Sequence, residues 1–184
     1  MSQATTNGAG ATAKSWLKSY NPSVPGDLAP LKHNSIHELL IESCMRNGPK
    51  PAFQLMGKTI SYAEVERESA AIGAYLQSKG LAKGARVALM MPNILQYPVC
   101  ILGVLRAGYT VVNVNPLYTP RELEHQLKDS GAEAIIIIEN FATTLQAVLK
   151  DTQVKHIVVA SMGDMLGLKG HIVNLVARNV QKMV

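Results

Sequence analysis

Cysteine is scarce: Cys44 and Cys100 are the only two in 184 residues and lie far apart. That excludes a disulfide scaffold and predicts a reducing, cytosolic compartment. Aromatic residues are few, with one Trp, six Tyr and two Phe, and the basic residues never run four together. A net charge of +5 and a pI near 9.3 permit an anionic partner. Because the cations are scattered and not interleaved with aromatics, no nucleic-acid partner is expected. No long hydrophobic run is present either. Leu89 to Leu105 carries no charge, but it holds Pro92, Asn93, Gln96 and Pro98 and falls short of the ~20 residues a membrane span needs. Residues 1–15 are small and polar, lack a signal-peptide core, and predict a flexible tail. What is present is a 47% hydrophobic, 17% charged chain, too apolar to be disordered and long enough to bury ~70% of its unfolded surface.

From Asn34 the apolar residues become periodic. Ser35 can cap a helix with the apolar face Ile36, Leu39, Leu40 and Cys44, stopping at Asn47-Gly48-Pro49. Two β-prone runs, Ala52 to Met56 and Thr59 to Tyr62, flank Gly57-Lys58 and predict a hairpin turning there. Ser61 and Glu64 have capping-box spacing, opening a helix to about Lys79 that Gly80 closes. An alternation follows: strand Val87 to Met91, helix Ile94 to Ala107 and strand Thr110 to Val114. A second capping box, Thr119-Pro120-Arg121-Glu122, opens a helix to Ser130. Strand Ala134 to Ile138, helix Phe141 to Leu149 and strand Ile157 to Ala160 complete it.

This order predicts an α/β fold, a mostly parallel sheet with helices on both faces, preceded by a helix and a β-hairpin. The helix from Ile94 is apolar nearly all round, which predicts a second covering layer outside the chain. After a loop from Gly163 to Gly170, Ile172 to Val184 is amphipathic, with Ile172, Val176, Val180 and Met183 on one side and Arg178 and Lys182 on the other. It has no stop signal, so a truncated chain is expected. The expected organisation is a tail over 1–15, a partial α/β domain over 16–160, and a loop with an amphipathic helix over 161–184.

Motifs for chemistry are thin. Ala52 to Thr59 matches a relaxed phosphate loop, but its wrapping positions are bulky and apolar, so a hairpin is the better reading. Gly8 through Ser15 is a weaker near miss, and no G-x-G-x-x-G follows a strand. Cys100 and Cys44 read as small core residues. The histidines His33, His37, His125, His156 and His171 have no metal-ligand spacing. Glu122, Glu124, His125 and Asp129 share a helix and read as a cap and a solvated face. Asn113, Asn115 and Tyr118 follow a strand at its C-terminal end, where open parallel sheets place ligands, and are the contact candidates. No catalytic, cofactor-binding or metal-ligating residue is assigned.

Several of these segments resemble a known family. Met90-Met91-Pro92-Asn93, Gln96-Tyr97-Pro98-Val99, Leu105-Arg106-Ala107-Gly108 and above all the run from Val111 through Asn113, Asn115 and Thr119-Pro120-Arg121-Glu122-Leu123 are similar to the N-terminal part of bacterial long-chain fatty-acid–CoA ligases of the adenylate-forming superfamily. The resemblance implies a partial N-terminal domain of an enzyme that joins fatty acid and CoA, using Mg2+ and ATP, through an acyl adenylate. It also implies that the Ser/Thr/Gly-rich loop and the C-terminal-domain lysine of such enzymes are absent from these residues, so the chain alone is expected to be inactive and to carry no cofactor. Peripheral contact with the inner membrane and a homodimer are further expectations from the resemblance. The rival reading is a non-enzymatic acyl-chain or membrane-surface module using the C-terminal amphipathic helix, and a weaker one is a nucleotide-binding protein using Gly57-Lys58-Thr59.

Overall fold

In the computed structural model, which describes residues 14–180, helix α1 (Ile36–Asn47) starts where Ser35 Oγ accepts the Glu38 amide, and Gly48 ends it. Only half of the expected face, Leu40 and Cys44, lies on its packed side. Cys44 is buried with Leu40 and Ile41 beside it, whereas Ile36 and Leu39 are exposed. The neighbours α1 meets in this unit, helices over 62–77 and 96–106, lie only along the Leu40–Cys44 side.

Strands β1 (Pro51–Leu55) and β2 (Lys58–Ser61) pair antiparallel, with Leu55 opposite Lys58. The turn is therefore Met56-Gly57, one residue earlier than expected, and both carry positive φ, 48° and 80°. Two-residue loops that match strand twist need positive φ at both positions. Gly57 suits the second of them, which leaves Met56 in the first. Tyr62, expected at the end of the strand, instead begins α2 (Tyr62–Gln77). Its capping box is complete: Glu64 N–H donates to Ser61 Oγ at 3.2 Å and the Ser61 amide to Glu64 Oε2 at 2.7 Å.

Four parallel strands, β3 (Arg86–Met90), β4 (Thr110–Asn113), β5 (Ala134–Ile138) and β6 (His156–Ala160), form a sheet in the order β4-β3-β5-β6. They are joined by α3 (Gln96–Arg106), α4 (Pro120–Ser130) and α5 (Ala142–Val148). Period-two alternation divides the sheet between two cores. Val87, Leu89 and Ile136 meet α2 and α3 through Leu76, Cys100 and Val104. Ala88, Ile135 and Ile137 meet α4 and α5 through Leu123, Leu127 and Leu145. All of β5 is buried, as its Ala-Ile-Ile-Ile-Ile sequence demands.

Helix α3 corrects another expectation. Its far side, Val99 and Leu102, packs on Cys44, Ile60 and Val65, so the second layer over it is α1, the hairpin and α2 of this same chain. Arg106 fastens that layer: its guanidinium donates to the Glu66 carbonyl at 2.9 Å and Ser69 Oγ at 3.0 Å, and pairs with the Glu66 carboxylate at 3.1 Å.

Helix α6 (Leu168–Asn179) starts four residues before the expected Ile172. Gly170 and Ala177 are buried with Val173 against the core, while Leu168, Ile172, Leu175 and Val180 are exposed. The expected stripe through Ile172 and Val180 therefore faces away from the core. Met183 and Lys182 lie outside the described residues, as do residues 1–13 of the tail expected over 1–15. Residues 14–34 form a separate unit with a 3-10 turn at Ser15–Ser19 and an ion pair between Lys14 and Asp27. Among the described residues no helix is long and apolar enough to cross a membrane.

Candidate functional site

The C-terminal edge of the parallel sheet is where this topology favours a ligand. From β3 the chain steps to β4 on one side and then to β5 on the other, so the connections diverge there, the point at which open α/β sheets take ligands. The residues at that edge are mostly engaged with one another. Tyr97, in the first turn of α3, donates through its hydroxyl to Asn113 Oδ1 at 2.8 Å. Gln126 of α4 donates to the Asn113 carbonyl at 3.0 Å. Asn115 Oδ1 accepts the Leu117 amide at 3.0 Å, a local turn that leaves that side chain a backbone role. Tyr118 is half-buried against the α4 and α5 core. Of the three expected contact residues, Asn113 is hydrogen-bonded to α3 and α4, Tyr118 packs on the α4 and α5 core, and Asn115 serves its own turn.

Beyond β5 and β6 lies a cluster that sequence spacing does not reveal. Arg178 of α6 donates to Glu139 at 2.9 Å and to Ser161 Oγ at 3.0 Å. Gln96 donates to the Ser161 carbonyl at 2.8 Å, and the Ser161 amide donates to Asp164 at 2.7 Å. These pairings tie α6 across the ends of the last two strands. Their partners lie too far apart in the chain for periodicity to link them.

The remaining candidates resolve into structure. Residues 52–59 form the hairpin, and Lys58 opens a strand where a phosphate loop requires a helix. Glu122 caps α4, its carboxyl held below the usual range by hydrogen bonds from the Thr119 amide and hydroxyl. Glu124 pairs with Lys128 one turn on, at 2.5 Å. Burial pushes the Cys100 thiol up to about 12 and raises Cys44 as well, so neither is a thiolate nucleophile. Among the described residues no group of three His, Cys, Asp or Glu could hold a metal ion.

The family described as AMP-binding enzyme matches residues 40–175. The long-chain-fatty-acid–CoA ligase of Yersinia pestis is 51% identical over 173 residues, which are 93% of this chain and 31% of that protein. The long-chain-fatty-acid-CoA ligase of Archaeoglobus fulgidus has the same fold over 71% of this chain and 29% of its own, with a TM-score of 0.62 at 24% identity. The luciferase-like enzyme of the mealworm Zophobas morio superposes on 76% of this chain and 36% of its own, with a TM-score of 0.67 at 21% identity. The chain thus spans about a third of the length of each of these proteins.

Proposed function

Because this chain belongs to the AMP-binding enzyme family, we propose that it is scaffold for a long-chain fatty-acid–CoA ligase, which converts fatty acid, ATP and CoA to acyl-CoA, AMP and pyrophosphate through an acyl adenylate. The observation that carries this reading is the 51% identity to the Yersinia pestis ligase over 93% of the chain. Adenylation brings a carboxylate against a polyphosphate, so it needs cations or backbone amides aimed at the developing charge. Among the described residues no group of three His, Cys, Asp or Glu could hold a metal ion, and Lys58 opens a strand where a phosphate loop requires a helix.

What these residues supply on this reading is shape. The two-sided core fixes the C-terminal edge of the sheet, and Arg178 with Glu139 fixes α6 across it. The 184 residues by themselves are proposed to form no thioester. A coupled assay with palmitate, ATP and CoA at micromolar protein is expected to match its blank, and turnover above the blank overturns that proposal. Replacing the matched segment of the Yersinia pestis ligase with these residues is expected to preserve palmitoyl-CoA formation. A folded but inactive chimera overturns the scaffold reading.

One observation favours a second reading, a membrane-surface module. Leu168, Ile172 and Leu175 of α6 and its C-cap Val180 are 88%, 65%, 61% and 72% exposed, on a helix that also carries Lys169 and Arg178. A helix of that make-up lies well on an anionic interface. The buried free cysteines suit the cytoplasmic face. Sedimentation with phosphatidylglycerol vesicles, lost in the Ile172→Asp and Leu175→Asp double variant, is the outcome this reading requires. No sedimentation of the unaltered chain overturns it.

A further inference from the structure

Helix α6 carries a second seam on the side away from the face it buries. Gly170, Val173 and Ala177 lie toward the core. On the opposite side Leu168, Ile172, Leu175 and Asn179 follow one another at intervals of four, three and four residues, and all four are exposed. Those intervals are the 3.5-residue repeat of a paired helix, with Leu168 and Leu175 in its d positions and Ile172 and Asn179 in its a positions. β-Branched Ile at a with Leu at d favours two parallel helices, and a single Asn at a fixes their register and number. The Asn179 carboxamide donates one N–H to the Leu175 carbonyl at 3.1 Å, so its second N–H and its oxygen can pair with those of another Asn179. The flanks agree. In a parallel pair His171 of one helix would lie beside Val176 of the other, and Arg178 is held by Glu139 and Ser161 of its own chain, so no like charges meet along the seam. A lipid surface gains nothing from this spacing or from an amide on the midline of the stripe.

We propose that α6 pairs with α6 of a second copy of this chain, parallel and in register about a two-fold axis, through Leu168, Ile172, Leu175 and Asn179. The 12 residues of α6 make a seam of about 18 Å, too short for an isolated coiled coil. Here the helix is already folded on its own core, so the pairing carries no nucleation cost. So small a contact gives a weak, exchanging dimer. A two-fold contact also closes at two copies, unlike association along a strand edge. The proposal goes beyond the ligase reading, and its test uses neither ATP nor CoA. Sedimentation equilibrium of the chain over a dilution series is expected to show monomer–dimer exchange. Ile172→Asp, which would bury two unpaired carboxylates per dimer, is expected to weaken it by about tenfold or more, with circular dichroism melts reporting that the variant is folded. Asn179→Cys is expected to form an inter-chain disulfide under mild oxidation, and Val180→Cys, one position off the seam, to form none. Cys44 and Cys100 are buried and do not compete. A chain that stays monomeric throughout, including one that phosphatidylglycerol vesicles then sediment, overturns the proposal. So do a dimer undiminished in folded Ile172→Asp and equal cross-linking of the two cysteine variants.

Discussion

Met56 is the residue whose backbone the fold constrains against its side chain. At φ 48° it occupies the left-handed region, which costs a Cβ-bearing residue about 1–2 kcal/mol and suits Asn or Gly. The side chain is 61% exposed, so replacing it sacrifices little packing. Met56→Asn is expected to raise stability by about 1 kcal/mol, read as a higher denaturant midpoint at unchanged slope. A midpoint that stays put or falls would show that Met56 is not strained. Glu64 and Glu122 give the second residue-scale expectation. Hydrogen bonds from the Ser61 and Thr119 amides and hydroxyls lower both carboxyls in the folded state. A lowered folded pKa contributes stability above the unfolded value, and that contribution fades as pH falls through the folded value. Glu64→Gln should therefore lower the melting temperature at neutral pH, and the gap should close below about pH 4. A gap independent of pH contradicts the charged-cap account.

Between elements, α2 and α3 approach each other closely at Gly103. A Cβ built on Gly103 would lie 2.7 Å from Ile72 Cγ2 and 3.1 Å from the Ser69 carbonyl, so a side chain there would have to displace Ile72 and press on the α2 backbone. Gly103→Ala should push the helices apart and cost about 1–3 kcal/mol, even though Ala is the better helix former. Thermal melts check this, and a stabilised variant would show that the contact yields freely. Arg106 works at the same crossing, reaching the Glu66 backbone, the Glu66 carboxylate and Ser69 with one planar fork. Lysine has the charge without the fork. Arg106→Lys should therefore lose about 1 kcal/mol or more, whereas equal stability would reduce Arg106 to a simple charge.

Over the whole molecule, what could be read from the sequence was what depends on near neighbours. The capping boxes at Ser61–Glu64 and Thr119–Glu122 and the apolar run of β5 are local signals, and the structure realises each. Choices made by distant contacts were not legible. Helix α6 carries two apolar stripes, and only packing selects Gly170, Val173 and Ala177 over Ile172 and Val180. The all-round apolar α3 implied a covering layer but not that Cys44, Ile60 and Val65 supply it. With α3 covered, the apolar surface left open lies elsewhere. Strand β6 pairs with β5 alone among the described strands, and Ile157 and Val159 are 39% and 55% exposed on one face of it. A groove of about 300 Å³ lies there against Leu145 and Leu149. An open apolar strand edge is a template for aggregation. Dye binding and association of the chain should accordingly originate at β6, not at α3. Threonine keeps the β-branch, so the double variant Ile157→Thr and Val159→Thr should reduce hydrophobic-dye fluorescence and concentration-dependent light scattering while leaving the melting temperature within a few degrees. Undiminished dye binding in the folded variant would place the exposed surface on another element, with α6 the next to test.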